Sequence, residues 1–157
     1  MLGLSQLEEG ILALLRAAPG LQLVRTFEPE VRECLFSGDK LIDGFRAEEL
    51  PAVNVTAQLQ SLNSIPFTAS EIGYEIPITV VSIVRAQKKD EARQTAAALS
   101  EEVQRVLNAA RKSDSGLGAN TLVIGTVAAE AVVLIEQKPH HFALCEVKAM
   151  VLKVVEL

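Results

Sequence analysis

The chain has 157 residues, 49% hydrophobic and 4% aromatic, with a net charge of −5 and a pI near 5.1. That length fits a single domain, residues 1–157, able to bury roughly 68–70% of its unfolded surface, and the core must be built from Val, Leu, Ile and Ala. A charged fraction of 22% with positive mean hydropathy excludes a disordered chain, and the acidic balance argues against a nucleic-acid binder, which needs clustered Lys and Arg to displace counterions from phosphates.

Ser5-Gln6-Leu7-Glu8 has the form of a capping box. Leu4, Leu7, Ile11, Leu14 and Leu15 then make one apolar face of a first helix, Ser5 to Ala18, which Pro19-Gly20 ends. With Glu8, Glu9 and Gly10 inside it and no basic stretch before it, this segment is not expected to be a secretory leader. No window holds the roughly 18 uncharged apolar residues of a membrane span. Leu21 to Phe27 alternates like a strand.

Residues 28–50 carry acidic clusters and scattered apolar residues: Leu35, Phe36, Leu41, Ile42 and Phe45. Ser37-Gly38-Asp39 between two short apolar runs reads as a hairpin turn. A structureless connection this long is unusual in a compact domain. The segment is either an extended arm, whose apolar tip would need a neighbour to cover it, or a piece that folds back on the core.

Pro51 to Ala57 reads as a strand with Pro at its first residue, where the lost donor does least harm. Residues 58–73, rich in Ser, Asn, Thr and Pro, read as a loop. Tyr74 to Ala86 is a strand of 13 residues, roughly 43 Å at about 3.3 Å per residue, long enough to project beyond its sheet. Pro77 favours an edge position for its first half. After a charged turn, Ala92, Ala96, Leu99, Val103, Val106 and Ala110 form one apolar stripe on a helix running to about Lys112. The segment from 113 to Asn120 is a glycine-containing break. Thr121–Val127 and Glu130–Glu136 read as strands, Gln137 to His141 as a turn, and Phe142–Glu156 as a long last strand. Beyond Met150 that strand is apolar on both faces, which belongs mid-sheet or against another chain. The predicted fold is α+β: a mixed, mostly antiparallel curved sheet with two main helices on one face and a protruding hairpin or arm.

Groups for catalysis are sparse. His140 and His141 are adjacent, so on an extended chain they point opposite ways and cannot readily chelate one ion; exposed turn residues are the plainer reading. Ser115-Gly116-Leu117-Gly118 follows a helix and lacks the Lys after its glycines that would reach a phosphate, so glycine capping explains it better. Cys34 and Cys145 match no metal or redox spacing and read as reduced thiols. The chain has no Trp and one Tyr, hence no aromatic platform. The reading is non-enzymatic, with no metal and no cofactor. Positive charge gathers at Arg85, Lys88, Lys89 and Arg93, either a solvated strand–helix corner or a polar contact for an acidic partner. Over-long strands and uncovered apolar residues suit a protein that assembles, since ring or dimer contacts close sheet edges.

The order of these segments resembles a known family. The first helix leads to a strand, a variable segment, and then Glu49-Leu50-Pro51-Ala52-Val53-Asn54-Val55 as a strand entry. A loop follows, then Tyr74-Glu75-Ile76-Pro77-Ile78-Thr79-Val80-Val81, the helix Asp90 to Arg111, a glycine-containing link and a long apolar strand, Ala143 to Val155. This is similar to the tail terminator (tail completion, minor tail) proteins of long-tailed bacteriophages, including those of Mu-like prophages. The resemblance covers nearly the whole chain, through packing signatures rather than catalytic motifs. It implies a homo-oligomeric ring, usually hexameric, that caps the tail tube, stops its polymerisation and docks the head connector. The implied partners are the tail tube protein and the head–tail connector protein, with no membrane and no sequence-specific nucleic acid. The implied location is the head-proximal end of the virion tail, reached from the host cytoplasm during assembly. The residues expected to face neighbours are Leu35, Phe36, Leu41, Ile42 and Phe45 on the arm and Arg85, Lys88 and Lys89 at the basic corner. The alternatives are another head–tail joining or baseplate protein, or a cytosolic ferredoxin-like enzyme or ligand-binding domain.

Overall fold

The structure, a computed structural model, describes residues 3–29, 36–37, 40–41, 45, 47–57, 63–112, 116–137 and 139–156. Helix α1 spans Leu4–Arg16. Strand β1 is Thr26–Pro29, followed by a short pair, β2 (Phe36–Ser37) and β3 (Lys40–Leu41). Strands β4 (Ala52–Ala57), β5 (Asn63–Thr68) and β6 (Glu71–Ala86) precede helix α2 (Lys89–Ala109). Strands β7 (Thr121–Ala129), β8 (Val133–Gln137) and β9 (His140–Glu156) complete the chain. The result is the α+β fold expected from the segment order: an open seven-stranded mixed sheet, mostly antiparallel, with two helices.

Two strands organise the sheet. β6 and β9 pair antiparallel over their whole shared length, from Glu71↔Glu156 to Ala86↔His141. At about 3.3 Å per residue this ribbon is on the order of 50 Å long. Shorter strands flank it in tandem. On the β6 side β4 pairs with Ile78–Ile83 and β5 with Glu71–Glu75, while β1 lies parallel to β4 at the edge. On the β9 side β8 pairs with His140–Leu144 and β7 with the stretch from Val147 to Lys153. The last strand, apolar on both faces, is therefore mid-sheet, as its composition required.

Both helices cover one face. Val53 and Val55 of β4, Ile76, Ile78 and Val80 of β6, and Ala143, Cys145 and Val147 of β9 alternate inward. They meet Leu7, Ile11, Leu12 and Leu15 of α1 and the Ala92–Leu99–Val103 stripe of α2 in one buried cluster. Each fully buried Leu, Ile or Val contributes about 1.5–3 kcal/mol, so this face dominates stability. A second, smaller cluster lies on the opposite face at one end: Leu50, Ala52, Ile83, Ile135, Phe142 and Leu144.

Several local expectations are corrected. The helix N-cap is Gly3, in the left-handed region (φ 62°), with no side-chain cap. Glu8, the expected reciprocal partner of Ser5, instead accepts a hydrogen bond from the Ala57 amide at the end of β4 (2.9 Å). Residues 21–27 are not one strand. Leu21 closes a 3₁₀ turn (Pro19–Leu21), and only Thr26 onward pairs. The alternation there came from turn residues, with Leu21 and Val24 buried and Leu23 exposed. The loop read at 58–73 contains β5, and β6 begins three residues earlier than Tyr74. The eighth strand starts at Val133, not Glu130. Pro77 does not lie on an edge strand. It falls between the residues of β6 that pair with β5 and those that pair with β4, so its missing N–H coincides with the interruption between two flanking strands.

Candidate interaction surfaces

The strand–turn–helix corner at the C-terminal end of β6 holds the basic residues. Lys88 and Lys89 open α2 and are exposed. Cations here oppose the helix dipole, an arrangement that costs a little stability. Asp90 and Glu91 in the first turn offset it, and Arg93 pairs with Asp90 at 3.4 Å. Arg85 is half-buried, and its Nη2 donates to His140 Nε2 at 3.1 Å. His140 and His141 are thus not exposed turn residues: both are half-buried at the start of β9, on opposite faces. Among the described residues His140 Nδ1 is buried without a hydrogen-bond partner.

The arm residues are described in part. Leu35 and Ile42 lie outside the described residues. Phe36 and Leu41 are cross-strand partners in the β2–β3 hairpin, and β3 lies against β8. Phe45 is half-buried against the second apolar cluster. That cluster includes Phe142, the cross-strand neighbour of Arg85. The structure brings the described arm residues and the basic corner to the same end of the sheet, which their separation in sequence did not reveal.

At the other end of the ribbon the cover thins: of Ile72 and Tyr74 only Tyr74 packs against the helix-side core. β5, the first five residues of β6 and the last five of β9 form a tongue, flanked at its base by Thr121 and Leu122 of β7, which pair with Lys153 and Leu152. Every residue of β5 is exposed, including Ile65 (39%) and Phe67 (52%). The Phe67 ring and the Leu152 side chain close over Gly73: a Cβ there would stand 3.0 Å from Phe67 Cδ2 and 3.1 Å from Leu152 Cδ1. On that same face Glu71 lies directly opposite Glu156, with Glu75 four residues along, opposite Leu152. Like charges facing each other across a sheet repel. Thr68 Oγ1 donates to Glu71 at 3.1 Å, and among the described residues none of these three carboxylates has a salt bridge. Sequence reading missed this surface because β5 carries no apolar period.

Two grooves flank the sheet. One, of about 490 Å³, lies between α1 and the Gly116–Gly118 loop and is lined also by Gln6 and Lys153. Both glycines have positive φ (98° and 120°), which explains their presence. That loop lies against Gly10 of α1, where a Cβ would make ordinary van der Waals contact with the Leu117 carbonyl at 3.6 Å. The second groove, about 400 Å³, lies between Pro77 and the irregular middle of β7, where Lys148 pairs with Glu130 at 3.6 Å.

The buried chemistry is structural. Cys145 is 1% exposed, donates to the Glu130 carbonyl at 3.4 Å, and burial pushes its thiol pKa upward, away from reactivity. Glu102 on α2 accepts hydrogen bonds from Arg105 and from the Gly20 amide. The Arg105 bond is the larger cause holding its carboxyl below the ordinary value. Among the described residues no three His, Cys, Asp or Glu side chains are placed to hold a metal ion, and no helix is long and apolar enough to cross a membrane.

No protein-family model and no curated protein matches this sequence. Among solved structures, the chain is similar to one in the virion of a native gene transfer agent particle, with a TM-score of 0.51 and 14% identity. The match covers 96% of this chain and 98% of that one, so the two share an overall fold from end to end.

Proposed function

We propose that this chain is a structural protein of a phage-like virion: a tail terminator that assembles as a hexameric ring on the tail tube, stops its growth and presents a docking surface for the head connector. The observation that carries this reading is the full-length fold likeness to a chain of a gene transfer agent virion. The resemblance of its segment order to the tail terminator proteins supports the same reading. The uncovered tongue and the two exposed lysines at the far end of the same ribbon fit a subunit whose surface is completed by neighbours. The protein acts by binding, through shape and charge, at the head-proximal end of the tail. Lys88, Lys89 and Arg85 form one contact surface, and the hairpin carrying Phe36 and Leu41 stands at the same end of the sheet.

The test is electron microscopy of particles produced without this protein. Over-long tails separated from heads are expected. Tails of normal length joined to heads would contradict a terminator role, and normal-length tails detached from heads would point to another head–tail joining protein.

A further inference from the structure

We propose, on the ring-forming reading above, that the tongue is one half of a head-to-tail contact and that its occupant is the basic corner of a second copy of this chain. Three observations converge on this pairing. First, the tongue exposes Phe67 and Ile65 on a strand with no charged residue, whereas exposed sheet edges are ordinarily guarded by Lys or Glu. Pro66 is the only residue of β5 that guards it in the usual way. Secondly, the face bearing Phe67 carries Glu71, Glu75 and Glu156 without a salt bridge among the described residues, so a cation from outside would relieve their repulsion.

Thirdly, the complementary charge lies on the same molecule at the opposite end of the same ribbon. Lys88 and Lys89 are exposed, Arg85 lies beside them, and Val133 on β8 supplies an exposed apolar side chain at that end (46%). β6 thus begins beside three carboxylates and ends, about 50 Å away, beside the exposed Lys88 and Lys89, where Asp90 is already paired with Arg93. No single chain can bring the two together. A contact that joins one end of a subunit to the other end of the next is heterologous, and repeated with a rotation it closes into a ring. An isologous dimer would place tongue on tongue and oppose six carboxylates. The charge pattern selects the head-to-tail arrangement.

The experiment is sedimentation velocity over a concentration series, with circular dichroism confirming that each variant is folded. Glu71→Lys with Glu75→Lys, and separately Lys88→Glu with Lys89→Glu, should each weaken self-association by about tenfold or more, since opposed like charges at an interface are strongly unfavourable. The chain carrying all four substitutions should recover association to within about threefold of the natural sequence, because both halves of the contact are inverted together. Association unchanged by either pair, or a fourfold variant no better than the pairs, would overturn the tongue contact while leaving ring assembly itself standing. A natural chain that stays monomeric at every concentration would overturn a second copy as the occupant, and the tail-length experiment would then judge the terminator reading alone.

Discussion

The ribbon of β6 and β9 passes through two environments, and its two halves behave as different surfaces. From Ile76 to Val84, β6 alternates between side chains sealed under the helices and side chains on the opposite face, with Ile76 and Val80 at 0% exposure. From Glu71 to Glu75, of the side chains Ile72 and Tyr74 only Tyr74 packs against that helix-side core. There its neighbours Ile72, Leu152, Val154 and Val155 are only half-buried, and Phe67 is half-exposed. Apolar residues continue from the body into the tongue, where Glu71, Glu75, Lys153 and Glu156 join them and the covering falls away. Apolar side chains in the body are already committed to folding, while those of the tongue retain surface that another chain can bury.

The largest effect that would sharpen this contrast is a core deletion in the body. Ile78→Ala removes a side chain 1% exposed between the sheet and the helices, and should cost about 2–5 kcal/mol in urea unfolding. A value below about 1 kcal/mol would mean that the helices do not seal the body. Glu102→Ala should cost about 1 kcal/mol by releasing the Gly20 amide and Arg105. Because the Glu102 carboxyl is held below its ordinary 4.5, its contribution is complete above about that pH. It is lost as the pH falls through the lowered value, so the variant and the natural chain should converge in acid. A stability difference that persists unchanged well below pH 4.5 would contradict this. The smallest effect on folding is expected in the tongue: Phe67→Ser should change monomer stability by less than about 0.5 kcal/mol. If it unfolds the chain, the tongue is part of the core and the comparison fails.

How far the sequence disclosed all this differed between the same two halves. The α2 stripe, β4 and the alternating runs of β6 and β9 were legible because burial on one face imposes a period on the residues. The order of these elements was enough to give the fold class. β5 was not legible, since its six residues are all exposed and it is held by pairing with β6, which leaves no hydropathic trace. The capping box failed for a different reason: Glu8 has a better use at the Ala57 amide, a partner 49 residues away. Pro77 misled because a strand can be central overall and still lack a neighbour at one residue. Of the candidate site residues, Lys88 and Lys89 are exposed, Arg85 is partly engaged with His140, and Phe45 is half-buried against the second apolar cluster. The tongue could not be found from periodicity at all.

The most direct measurement of the central claim is amide hydrogen exchange, residue by residue, on the dilute free protein and on the assembled form in purified particles. The core amides of β4, α2 and the Ile76–Val84 stretch of β6 should be protected in both. The amides of β5 should exchange rapidly in the free chain and become protected in the assembly. Tongue amides that exchange equally fast in both states would contradict the account.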